Sequence, residues 1–190
     1  MDEHRNAQRD AIAAAAWILA QEHGPLTVTM SQVAAAARVS RPTLYKYFPD
    51  VESMLTAHHR KHVEAHVAEL AAIVNGPDVP GERLERLVLA YAEICHHRAR
   101  RSGTEMNRLV HSPFELDAAE SQLVDLFAQA IGEAEGEPRG ELNPAALAAY
   151  AVRALATAAD VPSSRVPAVA RLVLQALTGD GTPPVRQASA

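Results

Sequence analysis

Residues 29–48 have the sequence TMSQVAAAARVSRPTLYKYF, which contains the start signals of two short helices separated by a brief turn. Thr29 is followed three residues later by Gln32, the capping-box arrangement in which each side chain satisfies a free backbone N–H of the other residue. A second helix start follows at Ser40, because serine caps helices and Pro42 is tolerated in the first turn. Two short helices joined by such a turn predict a helix-turn-helix.

The second of these helices divides into an inward and an outward face. Leu44 and Phe48 lie one helical turn apart and are predicted to pack on the core of the motif. The second helix of a helix-turn-helix enters the major groove, while the first crosses the DNA backbone. Outward side chains of both helices are therefore candidates for DNA contact. The predicted DNA-binding residues are Thr29, Ser31, Arg41, Pro42, Thr43, Tyr45, Lys46 and Tyr47.

The outward residues of the second helix have side chains suited to different parts of DNA. Arg41 can form a bidentate pair with guanine, and Thr43 can contact a base edge or a thymine methyl group. Lys46 can reach a base or a phosphate. Tyr45 and Tyr47 offer hydroxyl groups to phosphate oxygens, and free N–H groups at the start of the first helix favour phosphate there. Only three or four of these residues can be base readers.

Charge is distributed unevenly along the chain, whose formal net charge is −5. Residues 1–62 are nearly balanced, whereas the acidic excess lies in residues 63–190. Between His23 and Pro49 there are cations but no acidic residue. A local surface without acids can approach a polyanion even when the whole molecule is acidic.

Apolar residues recur every three or four positions along the chain, which predicts an all-α protein of about nine helices. We expect a helix-turn-helix DNA-binding domain at residues 1–50 and a second helical domain at 51–178, followed by a disordered tail at 179–190. A long helix at 51–74 links the two domains. The nine helices are expected at about 3–22, 29–37, 40–48, 51–74, 82–101, 105–111, 116–133, 144–159 and 164–177.

Several classes of protein and site are disfavoured by composition. No run of eighteen apolar residues is present, so no membrane span is expected. The first ten residues lack the order of a secretory signal. A single cysteine, Cys95, excludes an internal disulfide and favours the reducing cytoplasm. We expect no cofactor and no resident metal ion.

Residues 24–55, GPLTVTMSQVAAAARVSRPTLYKYFPDVESML, resemble the DNA-binding signature of TetR-family transcriptional regulators. The chain departs from the family at Arg38, where glycine is frequent, and at Val51, where lysine is frequent. A positive φ at Arg38 would be strained, unless the turn is of another type. The matching residues are Gly24, Thr29, Val33, Ala34, Ala37, Val39, Ser40, Leu44, Tyr45, Tyr47, Phe48, Glu52 and Leu55.

The resemblance implies a homodimeric repressor that binds a double-stranded operator with paired half-sites and is released by a small, mainly apolar effector. It implies that residues 51–178 are the ligand-binding and dimerisation domain. Candidate pocket residues are Tyr91, Cys95, Met106, Leu109, Phe114, Phe127 and Tyr150, each of which is alternatively plain core. The last two helices are rich in small apolar residues and either form the dimer interface or close the subunit's own core. The predicted interface residues are Leu147, Ala151, Ala154, Leu155, Ala158, Val166, Val169, Val173 and Leu177.

Histidines form a second conspicuous pattern. His58, His62 and His66 repeat every four residues and therefore share one face of the linking helix, with His59 beside them. Four-residue spacing can place two imidazoles on one metal ion, although a zinc site needs three or four ligands. The alternatives to a regulator are accordingly a metal-binding protein or an enzyme built on a helical bundle. A solvated or interfacial stripe is the simpler interpretation.

Overall fold

The computed structural model describes residues 2–101, 106, 113–135 and 143–178. These ranges hold α-helices and three short 3-10 segments, at Pro25–Thr27, Thr157–Asp160 and Ser163–Arg165. The α-helices are α1 (Asp2–His23), α2 (Met30–Ala36), α3 (Arg41–Tyr47), α4 (Val51–Val74), α5 (Pro80–Arg101), α6 (Pro113–Glu135), α7 (Pro144–Ala156) and α8 (Val166–Thr178).

The predicted all-α class is confirmed for the described residues, which include no strand. Apart from Met106, the helix predicted at 105–111 lies outside the described residues, and so does the tail at 179–190. In the part of the chain that the structure describes, no helix is both long and apolar enough to cross a membrane.

Helix boundaries follow the local start signals, with instructive exceptions. The linking helix begins and ends where predicted, at Val51 and Val74, and its first turn is capped by Asp50, whose Oδ1 accepts from the Ser53 N–H at 2.7 Å. Helix α5 starts at Pro80, two residues earlier than expected, because proline is well suited to the first turn. The helix expected to reach 159 ends at Ala156 and continues as a 3-10 turn.

Two compact units divide the described chain. The first comprises residues up to 66 together with those between 100 and 118, and the second comprises 67–99 together with those after 118. Helix α4 contributes to both. The buried core of the first unit comes mostly from α1 to α4 and the segments between them, together with Met106. Its residues are Ile12, Ala13, Ala16, Ala20, Val28, Val33, Ala34, Leu44, Phe48, Met54, Leu55 and Met106.

The turn between α2 and α3 is closed by a Schellman motif. The Arg38 N–H donates to the carbonyl of Ala35 at 3.2 Å, and the Val39 N–H donates to that of Ala34 at 3.0 Å. This pattern places the residue after the helix cap in the left-handed region, which glycine favours. Arg38 occupies that position with φ of 55°. Of the two alternatives for this turn, the structure therefore shows the strained one, with a non-glycine residue at positive φ.

Substitution of Arg38 tests this strain. Arg38→Gly removes the conformational cost of a side chain at positive φ, roughly 1–2 kcal/mol. Glycine also loses more backbone entropy on folding, which costs roughly 0.5–1 kcal/mol. We expect this variant to match or exceed the wild type by up to about 1 kcal/mol in unfolding free energy. Arg38→Val is expected to lose about 1–2 kcal/mol, because a β-branched side chain tolerates positive φ poorly. Urea denaturation followed by fluorescence of the single tryptophan, Trp17, measures both; a glycine variant less stable than the valine variant would contradict the assignment.

The second unit has its own apolar core, drawn from the end of α4 and from α5 to α8. Tyr91 and Phe127 meet edge to face with ring centroids 5.6 Å apart. The buried residues are Leu70, Val74, Leu84, Leu87, Val88, Tyr91, Ala92, Cys95, Phe127, Ala130, Ile131, Ala148, Ala151, Val152, Leu155, Ala158, Val166, Ala170, Val173 and Leu177.

The His96 side chain connects α5 to two residues that lie far along the chain. The side chain is 4% exposed, with Nδ1 3.1 Å from the Ala158 carbonyl oxygen and Nε2 3.1 Å from the Ser163 hydroxyl. A neutral imidazole satisfies both contacts when Nδ1 donates to the carbonyl and Nε2 accepts from the hydroxyl. His96 is therefore a buried polar link that fixes the approach to α8.

Candidate nucleic-acid interface

The start of α3 is fixed by its cap. The Ser40 hydroxyl oxygen accepts from the Thr43 N–H at 3.2 Å and lies 2.7 Å from the Thr43 hydroxyl oxygen. Pro42 occupies the first turn, where its fixed φ suits a helix. The side chains that begin α3 are therefore presented from a backbone with little freedom, as a base-reading surface requires.

Opposite faces of α3 have opposite environments. Leu44 is fully buried and Phe48, just after the helix, is 2% exposed, so both anchor α3 to the first unit as predicted. The guanidinium of Arg9 lies 4.8 Å from the centre of the Phe48 ring and covers it from α1. The structure brings four predicted DNA contacts together as exposed residues: Arg41, Pro42, Tyr45 and Lys46.

The remaining predicted contacts of α3 are less accessible. Thr43 is half-buried and adjoins the Ser40 cap. Tyr47 is half-buried too, and its hydroxyl donates to Oε1 of Gln8 on α1 at 2.6 Å. A phosphate oxygen only accepts hydrogen bonds, so a Tyr47 hydroxyl that donates to Gln8 has no proton left for it. The assignment of Tyr47 to the DNA backbone stays a prediction.

The start of α2 carries the predicted capping box. The Thr29 N–H and hydroxyl both donate to Oε1 of Gln32, at 2.8 and 2.7 Å, and the Gln32 N–H donates back at 3.4 Å. This reciprocal bonding confirms the cap but occupies the Thr29 hydroxyl proton. Ser31 is exposed one position inside the helix and is the better placed of the two for a phosphate contact.

The charged side chains of residues 24–48 are all basic. Arg38, Arg41 and Lys46 are exposed, and no acidic residue lies between His23 and Pro49. The nearest acids along the chain are Glu22 and Asp50. An exposed cationic surface of this kind attracts phosphate, and the exposed Tyr45 supplies a hydroxyl beside it.

The predicted pocket residues do not form one group. Tyr91, Cys95 and Phe127 lie together in the core of the second unit, whereas Met106 is buried in the core of the first. Tyr150 is 53% exposed. Leu109 lies outside the described residues, and of Phe114 only the helical backbone is described. The assignment of these residues to an effector pocket stays a prediction.

Burial affects the ionisation of two groups in the second core, the Tyr91 hydroxyl and the Cys95 thiol. Burial raises the pKa of the Tyr91 hydroxyl, and the neighbouring Cys95 raises it further. Burial likewise raises the pKa of the Cys95 thiol, which opposes the thiolate that redox chemistry requires. These groups therefore line an apolar region as neutral hydroxyl and thiol groups at pH 7.

The predicted dimer residues lie mostly inside their own subunit. Of the nine, six are buried in the core of the second unit: Ala151, Leu155, Ala158, Val166, Val173 and Leu177. Leu147, Ala154 and Val169 are half-buried against it. Each of these two helices also carries an exposed large side chain, Tyr150 on α7 at 53% and Leu172 on α8 at 67% exposure. The role of the nine residues between subunits stays a prediction.

The histidine pattern becomes a contiguous cluster on α4. Nε2 of His58 and Nε2 of His62 are 3.0 Å apart, and the His62 and His66 ring centroids are separated by 6.5 Å. Trp17 of α1 packs on His58 with ring centroids 4.9 Å apart. Burial, followed by His62 and the Lys61 ammonium, lowers the pKa of His58 to about 4, against the opposing effect of Asp10. The His58 ring is therefore neutral at pH 7.

Three residues make contacts that had no signal in the sequence. The bond from Tyr47 to Gln8 joins residues 39 positions apart, and the contacts of His96 span 62 and 67 positions. Arg83, largely buried, donates to the Val74 carbonyl at the end of α4 and pairs with Glu133 at 2.7 Å. Each depends on tertiary packing, so local periodicity could not have revealed it.

The candidate interface lies within the part of the chain that is similar to known proteins. Residues 12–57 match the family described as bacterial regulatory proteins, tetR family. The HTH-type transcriptional regulator HbdR of Aromatoleum sp. (strain CIB) is 32% identical over 87 residues, which cover 46% of this chain. The match spans only 38% of that regulator's length.

Solved structures share the fold over most of the chain. A transcriptional regulator of the TetR/AcrR family from Thermobifida fusca YX-ER1 has a TM-score of 0.69 at 21% identity and covers 88% of this chain and 97% of its own. FadR of Thermus thermophilus, a TetR-family repressor in complex with lauroyl-CoA, has a TM-score of 0.57 at 24% identity. The latter match covers 96% of this chain and 98% of that one. At these identities the likeness concerns the fold.

Proposed function

We propose, from the match of residues 12–57 to the tetR family of bacterial regulatory proteins, that this chain is a ligand-responsive DNA-binding transcriptional regulator. We place its DNA-binding domain at residues 1–50 and its ligand-binding and dimerisation domain at 51–178. Repression that a small molecule relieves is the proposed mode of action. Since its target is genomic DNA, we place the protein in the cytoplasm.

The observation that carries this proposal is the exposed face of α3. Arg41, Tyr45 and Lys46 are open to solvent on a short helix whose opposite side is anchored by Leu44 and Phe48. In the proposed complex α3 enters the major groove and α2 crosses the backbone. Arg41 then pairs with a guanine, while Lys46 and Tyr45 contact phosphate or base edges.

One such helix contacts only a few base pairs. We therefore propose a homodimer that reads paired half-sites about one helical turn apart. The exposed side chains of Tyr150 on α7 and Leu172 on α8 support this assignment, since each presents apolar surface to solvent. The buried residues of the predicted stripe would support this surface from within the subunit. The interface we propose therefore centres on the outer face of these helices.

We propose that the effector is a small, mainly apolar molecule held in the second unit near Tyr91 and Phe127, whose rings are in contact. The T. thermophilus FadR structure holds lauroyl-CoA, a ligand with a long apolar chain. Helix α4 contributes residues to both units. A ligand that favours one position of the second half of α4 would therefore also favour one position of its first half. Operator affinity would then depend on ligand by reciprocal coupling.

A salt-dependent gel shift tests the proposed function. The full chain is mixed with a labelled fragment from upstream of its own coding sequence, and with a fragment of equal length from within that sequence. We expect a shift of the upstream fragment and a loss of affinity of at least about a hundredfold between 50 and 200 mM salt, because phosphate contacts release counterions. Equal affinity for both fragments, or affinity insensitive to salt, would contradict operator binding.

A further inference from the structure

Two histidines on α4 are placed as a chelating pair. His58 and His62 are one helical turn apart, and their Nε2 atoms approach to 3.0 Å. Their rings meet at an angle of 64° with centroids 4.5 Å apart, so they converge through nitrogen edges instead of stacking. Among the described residues no group of three or more histidine, cysteine or acidic side chains is arranged around a metal position. Any metal held here would have two protein ligands.

We propose that His58 and His62 form a bidentate site for a divalent transition metal of tetragonal preference, Cu²⁺ or Ni²⁺, with the remaining coordination positions open to solvent. This site lies outside the DNA-contacting surface and is additional to the proposed function.

The distance between the nitrogens selects the class of metal. Imidazole nitrogens bind such ions at about 2.0–2.1 Å, so a 3.0 Å separation corresponds to an angle of about 95° at the metal. That angle is close to the 90° of square-planar or octahedral coordination and is well below the tetrahedral value that zinc prefers. Imidazole ligands in tetragonal geometry indicate Cu²⁺ or Ni²⁺.

Binding requires little rearrangement of the pair. Without metal, the 3.0 Å contact is a hydrogen bond in which one Nε2 carries the proton and the other accepts it. When metal binds, that proton moves to Nδ1 of the same ring through solvent, so both rings stay neutral and both Nε2 lone pairs face the ion. His62 is exposed and His58 is half-buried, which leaves one side of the pair accessible.

Two neighbours of the histidine pair matter for metal binding: Trp17 can report it by fluorescence, and Lys61 could repel the ion. Trp17, the only tryptophan of the chain, lies against His58 with ring centroids 4.9 Å apart. A paramagnetic ion at the pair would therefore quench its fluorescence strongly. Lys61, the nearest cation on the same helix, is paired with Asp10 of α1, so its charge is partly compensated.

Quenching of Trp17 by Ni²⁺ or Cu²⁺ in the full, untagged chain at neutral pH tests the site. We expect saturable quenching that excess chelator reverses, and an increase in thermal midpoint with metal, because the ion binds only the folded state. His62→Gln leaves a single imidazole and should weaken the quenching midpoint at least about tenfold, since the second ligand acts at high effective concentration.

His66→Gln is the matched control, because it removes an imidazole one turn further along the same helix. We expect its quenching midpoint to stay within about twofold of the wild type, since both rings of the pair remain. Wild-type affinity in His62→Gln would overturn the proposal, because quenching would then come from other histidines. Equal losses in both variants would overturn the two-histidine assignment. Circular dichroism of each variant confirms that it is folded, and failure of this site would leave the gel-shift result unaffected.

Discussion

Arg41→Ala is expected to lower the affinity for operator DNA by about 10- to 100-fold. A bidentate pair between arginine and guanine discriminates by roughly 1–3 kcal/mol, and the exposed position of Arg41 at the start of α3 gives it access to a base edge. Quantitative gel shifts against the operator and against mutated half-sites measure the loss. The variant should also discriminate less between bases at one position of each half-site.

Two comparisons separate base reading from general attraction. Arg165→Ala removes the same charge from an exposed position in the second unit and should leave affinity within about twofold. Lys46→Ala, if it contacts phosphate, should weaken binding to all sequences alike and reduce the salt slope by about one. An Arg41→Ala variant that behaves like Arg165→Ala would refute its assignment as a base reader.

Phe48→Ala is expected to cost about 3–5 kcal/mol of unfolding free energy in the first unit. The side chain is 2% exposed, and its removal leaves a cavity beneath α3. The contact with the Arg9 guanidinium is lost as well. Chemical denaturation followed by Trp17 fluorescence measures the effect, because the only tryptophan packs against this core. DNA binding should fall with the folded fraction of the unit.

Tyr45→Ala is the matched control for stability, since Tyr45 lies on the same helix but is 49% exposed. A substitution at a surface position should change the unfolding free energy by less than about 0.5 kcal/mol. We therefore expect Tyr45→Ala to weaken DNA binding without shifting the denaturation curve. Comparable destabilisation by the two variants would contradict the division of α3 into an anchored and an open face.

Local signals predicted much of the fold. Thr29, Ser40 and Asp50 each cap a helix through bonds to residues three positions on, so composition over four residues was enough to place those starts. The turn after α2 was harder. Arg38 lacks the glycine that usually marks a left-handed cap, yet the Schellman bonds form around it with φ of 55°.

The candidate sites were less predictable, because periodicity identifies the apolar face of a helix but not the element that packs against it. The apolar stripe of α7 and α8 packs on the core of the second unit, yet a pattern cannot tell a subunit's own core from a second copy. Met106 shows the same limit, since an apolar residue of that region packs on the first core instead of the second. Tyr47 is predicted to face outward, but it is half-buried and bonds Gln8, which lies 39 positions earlier.

The polar link made by His96 has a consequence for the order of folding. Its partners lie 62 and 67 residues along the chain, near the start of α8, so it forms only after a long loop has closed. Contacts between residues far apart in sequence are gained late, because loop closure must precede them. The caps of α2 and α3 need only three residues. During synthesis, α2 and α3 can therefore form early, while the second core forms only after the last helix has emerged.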